Sequence, residues 1–404
     1  MRRARAFALT WVSYATYYFA RKNLPVAKRT IETQLGVGTS QLAFIDTAYL
    51  FTYAIGQFGG GWLGDRIGAR RLVGFGMIGS ALLLCAFGAS STAALFALFF
   101  GLNGFLQATG WPGNVKAMAA WYGPKERGAV MGFWSTCFQV GPLLATALAA
   151  WLLAHFGWRW AFFGPAVWVA LVGLAVLLFL QEGPHASETS ATPTRALAAS
   201  QASAALRNPM VWLLGASYFG MKLIRYCIDF WLPYYLERDL HYARDTAAYV
   251  STSFQFGGIF GAIAIGWISD RWFPGRRGAI AGISMVALAL SLALYGRVAG
   301  AGLWINFAAM ALVGFCLFGP DALISGVAAQ DLGGPLAAAT VAGFINGCGS
   351  VGAIAQGALV AGISGRFGWQ AVFQALMLLA ALSSIALGAA WRLGLHEQRQ
   401  GATA

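Results

Sequence analysis

The sequence predicts an all-α membrane protein with twelve transmembrane helices in two pseudo-symmetric six-helix halves, and three observations carry the prediction. First, 58% of the 404 residues are hydrophobic and only 10% are charged, whereas soluble globular proteins run near ~25% charged. Second, apolar runs of about 20 residues, long enough to cross roughly 30 Å of hydrocarbon, recur through both halves. Third, marked stretches of the first half return in the second at a nearly constant offset. Uninterrupted runs fit helices and not a barrel, because a helix satisfies its backbone N–H and C=O groups within its own segment.

In chain order the expected spans are 5–27, 41–63, 72–91, 94–120, 129–153, 159–180, 210–235, 247–268, 279–296, 302–326, 336–363 and 370–391. The net charge of +13 does not point to nucleic acid, since the cations sit in short loops and form no stacking platform or basic tail. Counted by side, the N-terminus and every second loop hold 15 Lys and Arg against 7 in the opposite loops. The positive-inside rule then sets both termini in the cytoplasm, as expected of a multi-pass protein of a bacterial inner membrane. Arg2-Arg3-Ala4-Arg5 before an apolar run reads as a retained first helix, because that run contains Arg21 and Lys22 and no small-residue cleavage site. The five cysteines fall inside spans without a CxxC pair, which favours packing over metal or disulfide. His155, His185, His241 and His396 lie in predicted loops or near the termini. No metal and no cofactor is expected, the lipid bilayer is the surrounding partner, and the chain is expected to be a monomer.

The first span carries the sharpest anomaly. Tyr14-Ala-Thr-Tyr-Tyr-Phe-Ala-Arg21-Lys22-Asn23-Leu24-Pro25 sets two adjacent cations in an apolar helix, where each costs about 2.5–3.5 kcal/mol on insertion scales and so marks a functional site. Tyr14, Tyr18 and Arg21 fall at i, i+4 and i+7, which puts two phenols and a guanidinium on one helical face.

The second span ends in Gly61-Trp-Leu-Gly64-Asp65-Arg66-Ile-Gly68-Ala-Arg70-Arg71, and the eighth in Gly266-Trp-Ile-Ser269-Asp270-Arg271, with the two aspartates 205 residues apart. Glycines let helices approach closely, the aspartate can face a helix N-terminus or a cation, and Arg66, Arg71 and Arg271 hold the loops on the cytoplasmic side. Phe156-Gly157-Trp158 recurs as Phe367-Gly368-Trp369. The expected organisation is a six-helix half at 1–180, a cytoplasmic linker at 181–207 rich in Ser, Thr and Ala, a second half at 208–392 and a cytoplasmic tail at 393–404. This duplication resembles the major facilitator fold, in which substrate binds near the midplane between the halves.

Three stretches make the resemblance specific. The first-span stretch, Asn103-Gly-Phe-Leu-Gln107-Ala-Thr-Gly110-Trp111-Pro112 with its loop Trp121-Tyr-Gly-Pro-Lys125-Glu126-Arg127-Gly128, and Arg225-Tyr-Cys-Ile-Asp229-Phe-Trp231 together resemble the organophosphate:phosphate antiporter family over nearly the whole chain. The resemblance implies exchange of a sugar phosphate or glycerol 3-phosphate for inorganic phosphate, with Arg21 and Arg225 as the family's substrate arginines and Tyr53 as a pore tyrosine. Gln57 stands where bacterial glycerol-3-phosphate members have lysine, and Phe138-Gln139 replace a frequent His-Asn pair, so the particular organophosphate stays open. The segments Gly319-Pro320-Asp321 and Asn346-Gly-Cys-Gly-Ser350 look closer to the eukaryotic sugar-phosphate exchangers.

Arg21 and Arg225 are 204 residues apart, almost the offset of the duplicated loops, so the pseudo-twofold axis is expected to bring them face to face. Two guanidinium forks suit a phosphate dianion. Lys222 is expected to add positive field, Asn346 and Ser350 to line the cavity, Lys22 and Asp229 to form an outer gate, and Lys116 to anchor a helix on the inside. No nucleophile, base and orienting acid are grouped, so an enzyme is not expected. Two rival readings remain open: a proton-coupled organic-anion symporter of the same fold, and a membrane sensor of hexose phosphate.

Overall fold

The computed structural model describes residues 2–181, 183–184, 195–273 and 276–402. Residues 182 and 185–194 of the expected linker, with His185 and Pro193, and the last two residues of the expected tail lie outside the described residues. Every regular element is helical: α1 (Arg2–Tyr17), a 3-10 turn (Tyr18–Ala20), α2 (Asn23–Leu35), α3 (Thr39–Ile67), α4 (Ala69–Ala89), α5 (Ala93–Gln107), α6 (Gly110–Trp121), α7 (Arg127–Trp134), α8 (Cys137–Phe156), α9 (Trp160–Phe179), α10 (Arg195–Arg207), α11 (Pro209–Arg238), α12 (Arg244–Trp272), α13 (Arg277–Val298), α14 (Leu303–Ala322), a π-helical turn (Leu323–Ala328) and α15 (Ala329–Ala402). Among the described residues, nine helical stretches are long and apolar enough to cross a membrane. The other three expected spans, α1 with α2, α3, and α11, are helical but too polar or interrupted to join that set, and they carry Arg21, Tyr53 and Arg225. Charges inside such helices mark candidate functional positions.

Two compact units divide the chain: Met1–Gly123 with Thr136–Ala205 and Ala329–Gly347, and Pro124–Ser135 with Leu206–Ala328 and Cys348–Ala404. Each unit therefore takes in a segment from the other half of the sequence. In the first, Phe87 stacks on Phe96 and on Phe162, both at 4.4 Å between ring centroids, and Trp158 closes the cluster edge-on at 5.9 Å from Phe96. In the second, Trp369 lies 5.2 Å from Tyr235 and 6.4 Å from Phe373. The repeated Phe-Gly-Trp motif has one physical use in both places. Gly157 (φ 88°) and Gly368 (φ 74°) take a left-handed conformation open to glycine, and the following tryptophan turns into an aromatic core.

The outward faces are apolar as well. On α9, Phe162, Ala166, Val169 and Val176 are buried while Val167, Leu171, Leu174 and Leu178 are exposed. On α13, Met285, Leu288 and Leu292 are buried while Ile283, Val286, Leu290 and Leu294 are exposed. A helix apolar on both faces, one of them unpacked, is stable only where lipid replaces water.

The expected spans 5–27, 94–120 and 129–153 are not single helices, the last two dividing between α5 and α6 and between α7 and α8. In the span 5–27, α1 stops at Tyr17, the chain tightens through Tyr18–Ala20, and Arg21 (φ −133°, ψ −22°) and Lys22 stand at the break before α2. Pro25 is the local cause, since it has no N–H for the carbonyl of Arg21 and its ring crowds that carbonyl. The amide of Asn103 on α5 bonds the Ala20 carbonyl at 2.8 Å, so the break leaves no orphan there.

Close packing of α3 on α15 depends on Gly61 and Gly343. A Cβ on Gly61 would meet the Ala339 carbonyl oxygen at 2.6 Å and Thr340 Cα at 3.1 Å. Gly61→Leu is expected to cost about 1–3 kcal/mol and to lower the thermal midpoint of the detergent-purified protein, whereas Gly59→Ala, which meets nothing within 4 Å, leaves it in place. Equal midpoints for both variants would refute the close contact.

Candidate functional site

In the first unit the site is built around the helix break. Arg21 Nε donates to Gln107 Oε1 at 3.2 Å, Gln107 Nε2 donates to Ser80 Oγ at 2.8 Å, and Ser80 donates to Asn103, which also holds Ala20. A relay of neutral polar groups on α4 and α5 thus fixes both the guanidinium and the break that presents it. The guanidinium carbon lies 4.5 Å from the Tyr18 ring centroid and 5.4 Å from that of Tyr53, within cation–π range. Tyr14 and Tyr49 complete a set of four phenols around the charge.

Tyr14 rests edge-on against Tyr18 at 6.1 Å and packs on Trp111 at 5.5 Å and Phe138 at 5.4 Å. Tyr53 stacks on Tyr49 at 6.0 Å. The structure therefore does bring Tyr14, Tyr18, Tyr53 and Arg21 together, through a tightened turn and not through a continuous helical face. Arg21 Nη2 is buried and bonds to no group, and among the described residues no carboxylate pairs with this arginine. Gln57, one turn after Tyr53, is fully buried with neither amide atom hydrogen-bonded.

In the second unit Arg225 sits on α11 in a different setting. Its Nη1 donates to Asp321 Oδ2 of α14 at 2.8 Å, its Nε is 3.7 Å from Asp229 Oδ2, and its guanidinium lies 4.5 Å over the Phe318 ring. Gln255 of α12 donates to the other oxygen of Asp229. Lys222, one turn before Arg225, is buried with Nζ 3.4 Å from Ser350 Oγ and 5.5 Å from the Tyr218 ring centroid. Back in the first unit, Asn346 is buried on α15 and Lys22 is partly buried beside Arg21.

The duplicated loop aspartates behave as a pair. Asp65 accepts from the backbone N–H of Ala339 at 3.2 Å and Thr340 at 2.7 Å, just beyond the left-handed Gly334 and Pro335, and from Lys116 Nζ at 2.8 Å. Asp270 accepts from Gly128 at 3.1 Å and Ala129 at 2.7 Å in the first turn of α7, with Arg277 Nη2 at 3.4 Å. Each carboxylate thus accepts from two consecutive backbone N–H groups of the opposite half of the sequence, for Asp270 at the positive N-terminal end of α7, with one cation behind it. Arg277 also bonds the Pro124 carbonyl. Of the loop arginines, Arg66 stacks on Trp62, while Arg71 and Arg271 are exposed.

Residues 10–357 match the family model described as Major Facilitator Superfamily. The chain belongs to the Major Facilitator Superfamily. It is an integral, multi-pass membrane protein of a transporter family and not an enzyme. Curated relatives of this superfamily member include a "Probable hexose phosphate transport protein" of Chlamydia pneumoniae, 29% identical over 96% of this chain and 91% of that one. A "Putative glycerol-3-phosphate transporter 3" of Arabidopsis thaliana is 32% identical over 95% of this chain and 85% of its own. These relatives match the organophosphate:phosphate antiporter family. The solved structure of the proton:xylose symporter XylE shares the fold, with a TM-score of 0.71 at 14% identity, covering 95% of each chain.

Four groups of this facilitator site were not singled out from the sequence as site residues: Gln107, Ser80, Asp321 and Arg277. Asp321 carried a usable signal, being the lone charge in the expected span 302–326, and an intramembrane charge is a site hypothesis whatever its sign. Gln107 and Ser80 are neutral and carried none. Lys116, expected to anchor its helix on the inside, is the ion-pair partner of Asp65.

Loss of a carboxylate that accepts two helix N–H groups costs about 1–2 kcal/mol. Asp65→Ala and Asp270→Ala are each expected to lower the thermal midpoint in detergent, while Arg71→Ala and Arg271→Ala stay within about 0.5 kcal/mol of wild type. Arginine variants as damaging as the aspartate ones would show that the loops act through cation pairing.

Proposed function

We propose that the protein carries a phosphorylated metabolite, a sugar phosphate or glycerol 3-phosphate, across the membrane in exchange for inorganic phosphate by alternating access. The observation that carries this reading is Arg21: a guanidinium at a helix break, braced by Gln107, ringed by phenols, with a buried Nη2 that bonds to nothing. An unpaired guanidinium fork in a low-dielectric setting is complementary to a phosphate dianion, which takes two parallel charge-assisted hydrogen bonds. The compounds named for the relatives, hexose phosphate and glycerol-3-phosphate, are phosphate esters of that kind. Arg225 is the proposed second donor, with Tyr14, Tyr18, Tyr53, Lys222 and Asn346 as lining. Lys22 and Asp229 are the proposed outer gate, and Asp65, Arg66, Arg71, Asp270 and Arg271 the proposed cytoplasmic one.

Exchange follows from the same charge. Closing the protein around an uncompensated buried cation is unfavourable, because its desolvation is not repaid by any partner. A bound dianion cancels that charge, so the loaded carrier reorients faster than the free one and swaps one phosphate compound for another. The proposed moving bodies are the halves 1–180 and 208–392, acting as a monomer in an inner membrane with both termini cytoplasmic.

In proteoliposomes, uptake of labelled phosphate is expected to rise with phosphate or an organophosphate inside, and a competing panel of organophosphates identifies the preferred ester. Arg21→Lys and Arg225→Lys keep the charge and lose the fork, and each is expected to slow exchange about 10- to 100-fold. Gln107→Leu, which strips Arg21 of its brace, is expected to raise the apparent KM for phosphate about tenfold. Uptake that ignores internal phosphate and collapses with a protonophore would make the protein a symporter, and binding without flux a sensor.

A further inference from the structure

The two arginines proposed to hold phosphate are unequal. Among the described residues Arg21 has no carboxylate partner, whereas Arg225 is clamped by Asp321 at 2.8 Å, with Asp229 at 3.7 Å on its other edge. The Asp321 side chain is only 3% exposed. Its setting is irregular backbone: Pro320 precedes it, a π-helical turn begins two residues on at Leu323, and Ser325 donates to the Asp321 carbonyl at 2.7 Å. Such turns inside α-helices concentrate at functional positions. The carboxylate occupies the Nη1 edge that a phosphate oxygen would take.

We propose that Asp321 is a proton-binding site linked to anion binding: phosphate displaces its carboxylate from Arg225, and the displaced carboxylate takes up one proton. This rests on the reading of phosphate as ligand and goes beyond it. The balance is simple. The ionic contact between Arg225 and Asp321 breaks, Arg225 donates instead to a phosphate oxygen, and the carboxylate accepts a proton from the aqueous phase to become a neutral acid. A buried carboxylate stripped of its cation has no other inexpensive state, since leaving it charged in a dry site costs several kcal/mol.

The other groups around it do not replace the lost partner. Tyr218, Lys222, Arg225 and Asp229 all come from α11; Tyr218 lies beside Asp321, and Lys222 is turned to Ser350. From α12 comes the neutral amide of Gln255, while Arg244, Asp245, Tyr249, Asp270 and Arg271 lie toward the ends of that helix. The titratable residues of α13, Arg277, Tyr295 and Arg297, also lie at its ends, and α7 opens on Arg127.

The sign is fixed by the linkage. Over the pH range in which Asp321 is ionised without phosphate and protonated with it, affinity falls about tenfold per pH unit as pH rises, on top of the ionisation of phosphate itself. Calorimetric titration of the detergent-purified full-length protein with inorganic phosphate, in two buffers of different ionisation enthalpy, gives the number of protons taken up per phosphate. Wild type is expected to take up one proton more than Asp321→Asn. An equal number in both overturns the proposal. Should Asp321→Asn not fold, wild type alone decides: one proton beyond the known ionisation of phosphate supports the linkage, and none beyond it overturns it. Wild type that fails to bind phosphate at all overturns the phosphate reading itself, a different result from phosphate bound without the extra proton.

Discussion

A charge withdrawn from water into an apolar helix bundle must be matched where it stands, and the described structure is organised by how each such charge is matched. Asp65 is met by two helix N–H groups and Lys116, and Asp270 by two helix N–H groups and Arg277. Arg225 is met by Asp321 and Asp229. Arg21 alone among these has only neutral company, a glutamine and aromatic rings, and keeps one buried nitrogen unbonded. Desolvation makes each unmatched group costly, so the unmatched one is where a ligand of opposite charge has most to contribute.

The same constraint explains why segments of one sequence half join the compact unit of the other. Residues 124–135 and 329–347 each offer two consecutive backbone N–H groups, Gly128 and Ala129 in the one and Ala339 and Thr340 in the other, to a carboxylate. The duplicated aspartates supply it, and the glycines at Gly61 and Gly343 let the backbones come close enough for those bonds to form.

Two helix irregularities coincide with these charges. Pro25 breaks the first span at Arg21, and Pro320 with the π-helical turn disturbs α14 around Asp321. An irregular backbone at membrane depth survives only if its polar groups find partners inside the protein, which the Asn103 bond to Ala20 and the Ser325 bond to Asp321 provide. The two arginines are unequally paired, Arg21 with neutral groups and Arg225 with Asp321 and Asp229.

Much was legible in the residues themselves. Composition and apolar run length determined the all-helical membrane class, because hydrocarbon thickness and backbone satisfaction leave no other solution for such runs. The paired Asp65 and Asp270 loops, the two Phe-Gly-Trp turns and the exposed cost of Arg21 could be read without coordinates, since each is a local pattern repeated or a charge out of place. Tertiary structure decided the rest: that the first span breaks at Arg21, that Gln107 and Ser80 brace it, that Lys116 belongs to Asp65, and that Arg225 is answered by Asp321 from 96 residues away. These are contacts between helices, and helical periodicity fixes which residues share a face but not which faces meet.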